Sequence, residues 1–258
     1  MSLKLTFLGT GTSTGVPEVG CTCSVCTSND PRDKRLRVSA LLEFDDNTRI
    51  LIDCGPDFRA QMMTQPFKKL DAVLLTHEHY DHTGGIDDLR PFCSFGDINV
   101  FADFLTCQHL RERLPYMFRE VLYPGVPRLN FQSISPFEPF YIHQIPVLPL
   151  EIMHGQLPIL GYRIGDLGFV TDMLTAPAET YKALHGVRVL VINGLRYKPH
   201  GSHQTIDMAI DFARQVEAQE TYLIHMSHHA GLHQDLVSTL PSDIHIAYDG
   251  LQININKI

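Results

Sequence analysis

The stretch Thr76-His77-Glu78-His79-Tyr80-Asp81-His82 limits what this chain can become more than any other. The residues before it, Asp71-Ala72-Val73-Leu74-Leu75, read as a short buried strand. Thr83-Gly84-Gly85 follows and opens a helix-like segment. Three imidazoles and one carboxylate therefore crowd into six residues at a strand end. That donor set suits zinc, manganese or iron, whereas calcium prefers shells built from oxygen. His77 and His79 lie two apart, so a chain turning off the strand aims both rings at one ion. Asp81 and His82 fall on the next turn, within reach of a second ion. A histidine-rich surface loop does not account for so many ligands at a place where sites are built.

Other strand ends supply further ligands. Residues 3–8 alternate apolar and polar and read as a first strand. Gly9-Thr10-Gly11-Thr12-Ser13-Thr14-Gly15 follows; it lacks the third glycine of a dinucleotide fingerprint and no helix pattern comes after it. It reads as a tight loop whose backbone N–H groups could face a phosphate. Residues 38–44 and 48–52 predict a hairpin turned at Asp45-Asp46-Asn47. Its second strand ends at Asp53, a carboxylate suited to a helix cap, a turn, or the outer N–H of a metal-bound histidine. Residues 58–67 read as a helix with Pro66 near its end, and residues 86–95 and 103–118 read as helical around a short strand at 98–102. The proline-rich segment 118–139 suits irregular loop and edge strand, facing substrate or an oligomer partner, as in a homodimer.

Residues 145–153 predict a strand that Pro146 and Pro149 confine to an edge or an irregular path; it ends at His154. A hairpin over 159–164 and 168–171 ends at Asp172. Residues 187–193 and 221–224 are nearly all apolar, and the second ends at His225. A helix over 205–218 carries Ile206, Ala209, Ile210, Ala213 and Val216 on one stripe, capped by Ser202 or Thr205. A helix near 232–240 and a strand at 244–248 close the pattern. Four strands thus finish in a ligand type, and ligands delivered from separate strand ends make a rigid site.

Cysteine use adds a second centre. Cys21, Cys23 and Cys26 form C-x-C-x-x-C, and three thiols able to face one ion need a fourth ligand from elsewhere, with histidine the expected type. Cys54, Cys93 and Cys107 are scattered, so the six cysteines do not make a secreted disulfide framework. They read as a metal knuckle with buried thiols in a reducing compartment, hence a cytoplasmic protein. The amino terminus lacks a signal-peptide pattern, and no apolar run of ~20 residues exists to span a membrane. The net charge of −8 speaks against non-specific nucleic-acid binding. With no repeat or flexible linker, residues 1–258 read as one domain with the knuckle near 20–27.

On the H-x-H-x-D-H stretch and the order of the strand-end ligands, the chain resembles the metallo-β-lactamase superfamily from end to end. The resemblance implies an α/β fold, a four-layer αββα sandwich, with two divalent ions, zinc or manganese, in a cleft at the strand ends. It assigns His77, His79 and His154 to the first ion, Asp81, His82 and His225 to the second, and Asp172 to the bridge. It favours the outer-ligand role for Asp53. An aspartate at the bridge, rather than a cysteine, fits the phosphodiesterase and thioesterase branches. Such a pair of ions activates a bridging hydroxide and stabilises charge on the attacked centre.

Two features narrow the branch. The Cys knuckle, with His228 three residues after His225, resembles the PhnP kind, cyclic-phosphate phosphodiesterases of phosphonate breakdown; that resemblance implies a structural zinc on Cys21, Cys23, Cys26 and His228. Members of that kind and, more distantly, the tRNase Z endonucleases share a histidine before the last metal-bearing strand. His203 occupies that place as general acid or phosphate clamp, with His200 as its rival. Asp81 and His203 are the catalytic candidates. The implied activity is hydrolysis of a small cyclic phosphate or nucleotide, with no membrane partner. The alternatives are a tRNase Z-like RNA endonuclease, weakened by the negative charge and the lack of a basic Gly-rich arm, and a thioesterase of the glyoxalase II kind. A flavoprotein oxygen reductase with a di-iron site is set low because no flavodoxin-like part is present.

Overall fold

The computed structural model describes residues 2–119, 121, 123 and 125–256. Strand β1 (Ser2–Gly9) leads through the knuckle loop to β2 (Ser39–Phe44) and β3 (Arg49–Ile52). Helix α1 (Phe58–Met62), β4 (Ala72–Leu74), the short helix α2 (Tyr80–Thr83), a 3₁₀ segment Ile86–Phe95, β5 (Ile98–Ala102) and α3 (Phe104–Arg113) follow. Next come β6 (Leu129–Ser133), β7 (Phe140–Ile142), β8 (Ile145–His154), β9 (Leu157–Ile164), β10 (Leu167–Val170) and α4 (Ala178–Leu184). The chain ends with β11 (Val189–Asn193), α5 (Ile206–Gln215), β12 (Glu220–Ile224), α6 (His233–Thr239), β13 (Ile244–Ile246) and β14 (Gln252–Asn256).

These strands make two seven-stranded sheets, ordered β14-β1-β2-β3-β4-β5-β6 and β13-β12-β11-β10-β9-β8-β7. Side-chain alternation explains the four layers. Ala40 and Leu42 of β2, Ile50 and Ile52 of β3, and Leu74 of β4 face the other sheet, meeting Val147, Tyr162, Phe169 and Val191. The intervening Leu41, Leu51 and Val73 point outward and are covered by Phe58, Leu89 and Leu110 from the flanking helical segments. Across the sandwich, Leu190 and Ile192 point outward under Ile206, Phe212 and Leu236 of α5 and α6. Strands buried on both faces need continuous apolar runs, which is how their sequences read. The seven ligands expected for the two ions lie at or beyond the carboxyl ends of β4, β8, β10 and β12.

Some expectations are corrected. The helix expected over 58–67 stops at Met62, and Pro66 lies beyond it in irregular chain. The segment 103–118 breaks after Arg113 into a separate 3₁₀ turn, Pro115–Phe118, because Pro115 cannot continue the α-helical ladder. β8 is not an outermost strand. The short β7 pairs only Ile145 to Val147, so Pro149, past its end, owes no bond on that side. Of the 118–139 segment, 129–133 forms the edge strand of the first sheet; Pro124 lies outside the described residues. Strands β7 and β14 were not anticipated. Among the described residues no helix is long and apolar enough to cross a membrane.

Two glycines set how closely the motif loop packs. A Cβ on Gly55 would stand 2.1 Å from the Asp81 carbonyl oxygen, and one on Gly85 2.1 Å from that of Gly55. The two segments are laced by Cys54 N–H to His82 O at 2.8 Å and Gly85 N–H to Cys54 O at 2.9 Å. Gly85→Ala should therefore cost roughly 1–3 kcal/mol of stability and loosen metal retention, read by thermal melting and metal analysis; a variant with unchanged melting and metal content contradicts this packing.

Candidate metal centre

Three site residues, Asp53, Asp172 and His225, sit just past β3, β10 and β12 with φ of 59°, 60° and 54°. This is the left-handed region, uncommon for residues bearing a Cβ and concentrated at functional sites. It turns each side chain back across the rim instead of along the strand.

Asp53 organises the motif loop. It is fully buried and accepts hydrogen bonds from Thr76 N–H at 2.8 Å, the Thr76 hydroxyl at 2.9 Å and His82 Nδ1–H at 2.7 Å. Thr76 Oγ1 in turn accepts from His77 Nδ1–H at 3.0 Å. One carboxylate thus fixes the tautomers of His82 directly and His77 through Thr76, the outer arrangement expected around metal-ligating histidines. Both Nε2 atoms then face the cleft. His77 Nε2, His82 Nε2 and His225 Nε2 are buried without hydrogen-bond partners. Orphaned imidazole nitrogens converging with carboxylates are what a cation site requires.

Asp172 is the meeting point. Its Oδ1 lies 3.3 Å from His82 Nε2 and its Oδ2 3.1 Å from His225 Nε2. Asp81 Oδ2 lies 3.2 Å from His82 Nε2 and 3.6 Å from His225 Nε2. Donor atoms of Asp81, His82, Asp172 and His225 form one cluster that could hold an ion, and those of His154, Asp172 and His203 form another, so Asp172 belongs to both. The His77 ring lies 4.5 Å from that of His79 and 5.7 Å from that of His154 between centroids, with His79 and His154 5.2 Å apart. His154 Nδ1–H faces the Asp172 and Ser202 carbonyls at 2.9 and 3.1 Å, which leaves its Nε2 for the cleft. The seven expected donors are therefore brought to one rim.

Charge in this cluster is strongly coupled. Burial opposes ionisation of Asp172, yet His225 and His82 hold its carboxyl well below the usual range. Burial likewise opposes the charged forms of His82 and His225. The Asp172, Asp53 and Asp81 carboxylates hold His82 well above its ordinary value, and Asp172, with Asp81, raises His225 to about 9. His203 behaves oppositely: burial and the His225 charge push it down to about 3. Its Nδ1 is buried without a partner, 3.9 Å from Asp172 Oδ2. Its ring stands 4.6 Å from His154 and 5.1 Å from His200, which is exposed. A neutral His203 offers one N–H to an anion in the cleft.

The four knuckle residues also come together, close enough to hold an ion. Cys21, Cys23 and Cys26 Sγ lie 3.1, 3.4 and 3.4 Å from His228 Nδ1, near the ~3.5 Å edge of a zinc-centred tetrahedron of sulfur and nitrogen. The Cys26 backbone N–H draws the Cys23 thiol down to about 6, toward the thiolate a metal needs, while burial pushes Cys26 up to about 11. His228 Nε2–H faces Glu18 Oε2 at 3.2 Å, which fixes its tautomer.

Three positions escaped sequence reasoning. Thr76 relays Asp53 to His77, and its hydroxyl just before the motif was the signal. Glu18 orients His228, with no signal in the sequence. Asn193 clamps the backbone of Met173 through Oδ1 and Nδ2 at 2.8 and 3.0 Å and so holds the Asp172 turn; a buried amide ending an apolar strand could have revealed it.

Comparison with known proteins agrees with this geometry. A family model described as "Beta-lactamase superfamily domain" matches residues 48–226. An octanoyltransferase of Porphyromonas gingivalis is 52% identical over 256 residues, 99% of this chain and 52% of that protein. The chain spans about half the length of the curated relatives it matches. A diphosphatase of the PhnP family superposes with a TM-score of 0.91 at 35% identity, over 99% of this chain and 98% of that one. Short-form human tRNase Z gives 0.69 at 19% identity over 97% and 98%, a likeness of fold alone.

Metal loading should be linked to pH. The His225 pKa is raised in the folded, metal-free protein, so its contribution to stability is full below the unfolded value near 6.5 and is lost as pH rises through about 9. The melting temperature of chelator-treated protein should therefore fall between pH 7 and 9.5. Over the same range zinc should bind more tightly, releasing protons in weakly buffered solution; zinc uptake without proton release contradicts the assignment. Separately, Cys23→Ser should lose about one of roughly three metal ions per chain and melt lower, while the dinuclear centre keeps its ions. A variant with unchanged zinc and melting point would exclude the knuckle.

Proposed function

We propose that this chain, which belongs to the beta-lactamase superfamily and within it to the PhnP family of metal-dependent hydrolases, is a dinuclear-metal phosphodiesterase acting on a small cyclic phosphate or nucleotide. The observation that carries the proposal is Asp172, one carboxylate that gathers with Asp81, His82 and His225 on one side and lies within the reach of one ion from His154 on the other. Two divalent ions held there would supply a water-derived nucleophile at neutral pH and positive charge for the attacked centre. His77, His79 and His154 would hold one ion, Asp81, His82 and His225 the other, and Asp172 both. A third ion, zinc by its three sulfurs and one nitrogen, would be structural.

The chain's own residues favour a phosphorus centre. His203 presents an N–H to an oxygen that gains charge, a donor made effective by its dry surroundings. The rim beside it carries Arg196, Lys198 and His200, and neither Arg196 nor Lys198 has a carboxylate within 4 Å among the described residues. Such cations suit a phosphate diester or anhydride, and the PhnP-family structure is itself named a diphosphatase. A long polyanion such as RNA fits a chain of net charge −8 less well. The rival is acyl transfer or thioester hydrolysis, because the Porphyromonas gingivalis relative is named an octanoyltransferase. That protein is about twice this chain's length, so its named activity has a second half in which to reside.

Metal-replete protein should hydrolyse bis(p-nitrophenyl) phosphate and leave an octanoyl thioester untouched; the reverse would overturn the proposal. His203→Ala should keep the metals and the fold and lose about 10²- to 10³-fold in turnover. The loss should be smaller for a p-nitrophenolate leaving group than for an alkoxide, which needs more help from a donor. Equal, unchanged rates on both would make His203 a bystander.

A further inference from the structure

A second cleft opens where the β8–β9 hairpin meets the start of α3, on segments tied to those that carry the metal ligands. It encloses about 300 Å³ between the start of α3, the end of β6 and the β8–β9 hairpin. The principal lining residues are Phe104, Leu105, Ser133, Ser135, Glu151 and Ile159. Two connections bind it to the metal ligands. Leu160 N–H donates to Thr76 O at 2.9 Å, one residue before His77. The cleft residue Pro158 pairs with Met153, next to the Leu157–His154 pair that closes the hairpin. The helix that carries Phe104 also reaches the motif: His109 bonds the Glu78 carboxylate, and Arg113 donates to Thr83 Oγ1 at 2.7 Å.

The lining is selective. Phe104 and Leu105 are 66% and 53% exposed, an aromatic and an aliphatic face left uncovered at the mouth. The Ser133 and Ser135 hydroxyls make no hydrogen bond among the described residues, and Glu151 has no cation within 4 Å among them. The other carboxylate, Asp103, is engaged in capping Thr106 N–H at 3.0 Å. No lysine, arginine or histidine lines the cleft. A phosphate or carboxylate would be repelled by Glu151 and find no counter-charge. A plain acyl chain would leave Glu151 and both hydroxyls facing apolar atoms. A flat, neutral heteroaromatic ring satisfies all of it: a face for Phe104, and edge donors for Glu151 and acceptors or donors for the serines.

We propose that this cleft is a subsite for a nucleobase, stacked on Phe104 with an exocyclic amino group directed to Glu151, so that the diester cleaved at the metal centre is a nucleotide. The inference rests on the phosphodiesterase reading and narrows its substrate. The experiment compares thymidine 5′-(p-nitrophenyl phosphate) with methyl p-nitrophenyl phosphate, which share a leaving group and differ in the ring. The parent should favour the nucleoside ester through KM. Phe104→Ala should raise that KM roughly 5- to 100-fold and leave the methyl ester unchanged. Glu151→Gln should weaken adenosine more than thymidine. A preference that survives Phe104→Ala overturns the subsite. Calorimetric titration with adenosine needs no turnover: binding to the parent and not to Phe104→Ala supports the cleft even where neither diester is hydrolysed, and in that case the phosphodiesterase reading alone falls. No adenosine binding, or octanoate binding in its place, overturns the nucleobase assignment.

Discussion

The buried carboxylate of Asp53 is the interaction on which the site depends. It takes hydrogen bonds from Thr76 and His82 in the dry space under the motif loop. A lone buried carboxylate is costly, and here several donors offset that cost. The same donors belong to the residues that must face the ions. Stability and ligand geometry are thus one network, so a change at Asp53 cannot touch one without the other. The sheets serve this network by bringing β3 and β4 side by side in parallel, with Ile52 opposite Leu74, so that Asp53 and Thr76 emerge together.

The opposite sheet repeats the device with different chemistry. β10, β11 and β12 run parallel, and their carboxyl ends present Asp172, Asn193 and His225. Asn193 holds the Met173 backbone, which fixes where Asp172 turns. Ligands from two sheets then converge across the rim, the place where open α/β sheets generally build sites. Asp172 reaches His82 from one sheet and His225 from its own, and thereby ties the sandwich together at the cleft.

The sequence made the ligands legible because strand ends and donor types repeat: His77 after an apolar run, His154, Asp172 and His225 after three more. The α/β class followed from the same runs. What stayed hidden was set by distant partners. Glu18 acquires its role only because the knuckle loop folds onto His228, more than 200 residues away. β14 carries an alternating Ile253 and Ile255 that was readable, but its place beside β1 depends on closing the sheet with the two ends of the chain. The helix expected over 58–67 failed for a local reason, since only its first turn is held against the core by Phe58 and Met62. The cleft lined by Phe104 and Glu151 joins three separated segments and has no linear signature.

The knuckle's distance from the chemistry raises the question of what it does there. His225 occupies a left-handed conformation, which costs a residue with a Cβ about 1–2 kcal/mol, and Asp53 and Asp172 add similar amounts. His228 follows His225 by three residues and enters the sulfur cluster. Between them, Met226 is pinned on both sides, its N–H to Thr10 O and its O to Thr12 N–H, each at 3.1 Å, and Ser227 N–H is held by Leu195 O. Structural zinc in small domains contributes on the order of 10 kcal/mol of binding free energy to folding. That exceeds the combined conformational cost of the three turned residues. A zinc held by Cys21, Cys23, Cys26 and His228 would add its hold to the hydrogen bonds at Met226 and Ser227, and through that one turn of backbone would help His225 keep an orientation its own φ angle disfavours.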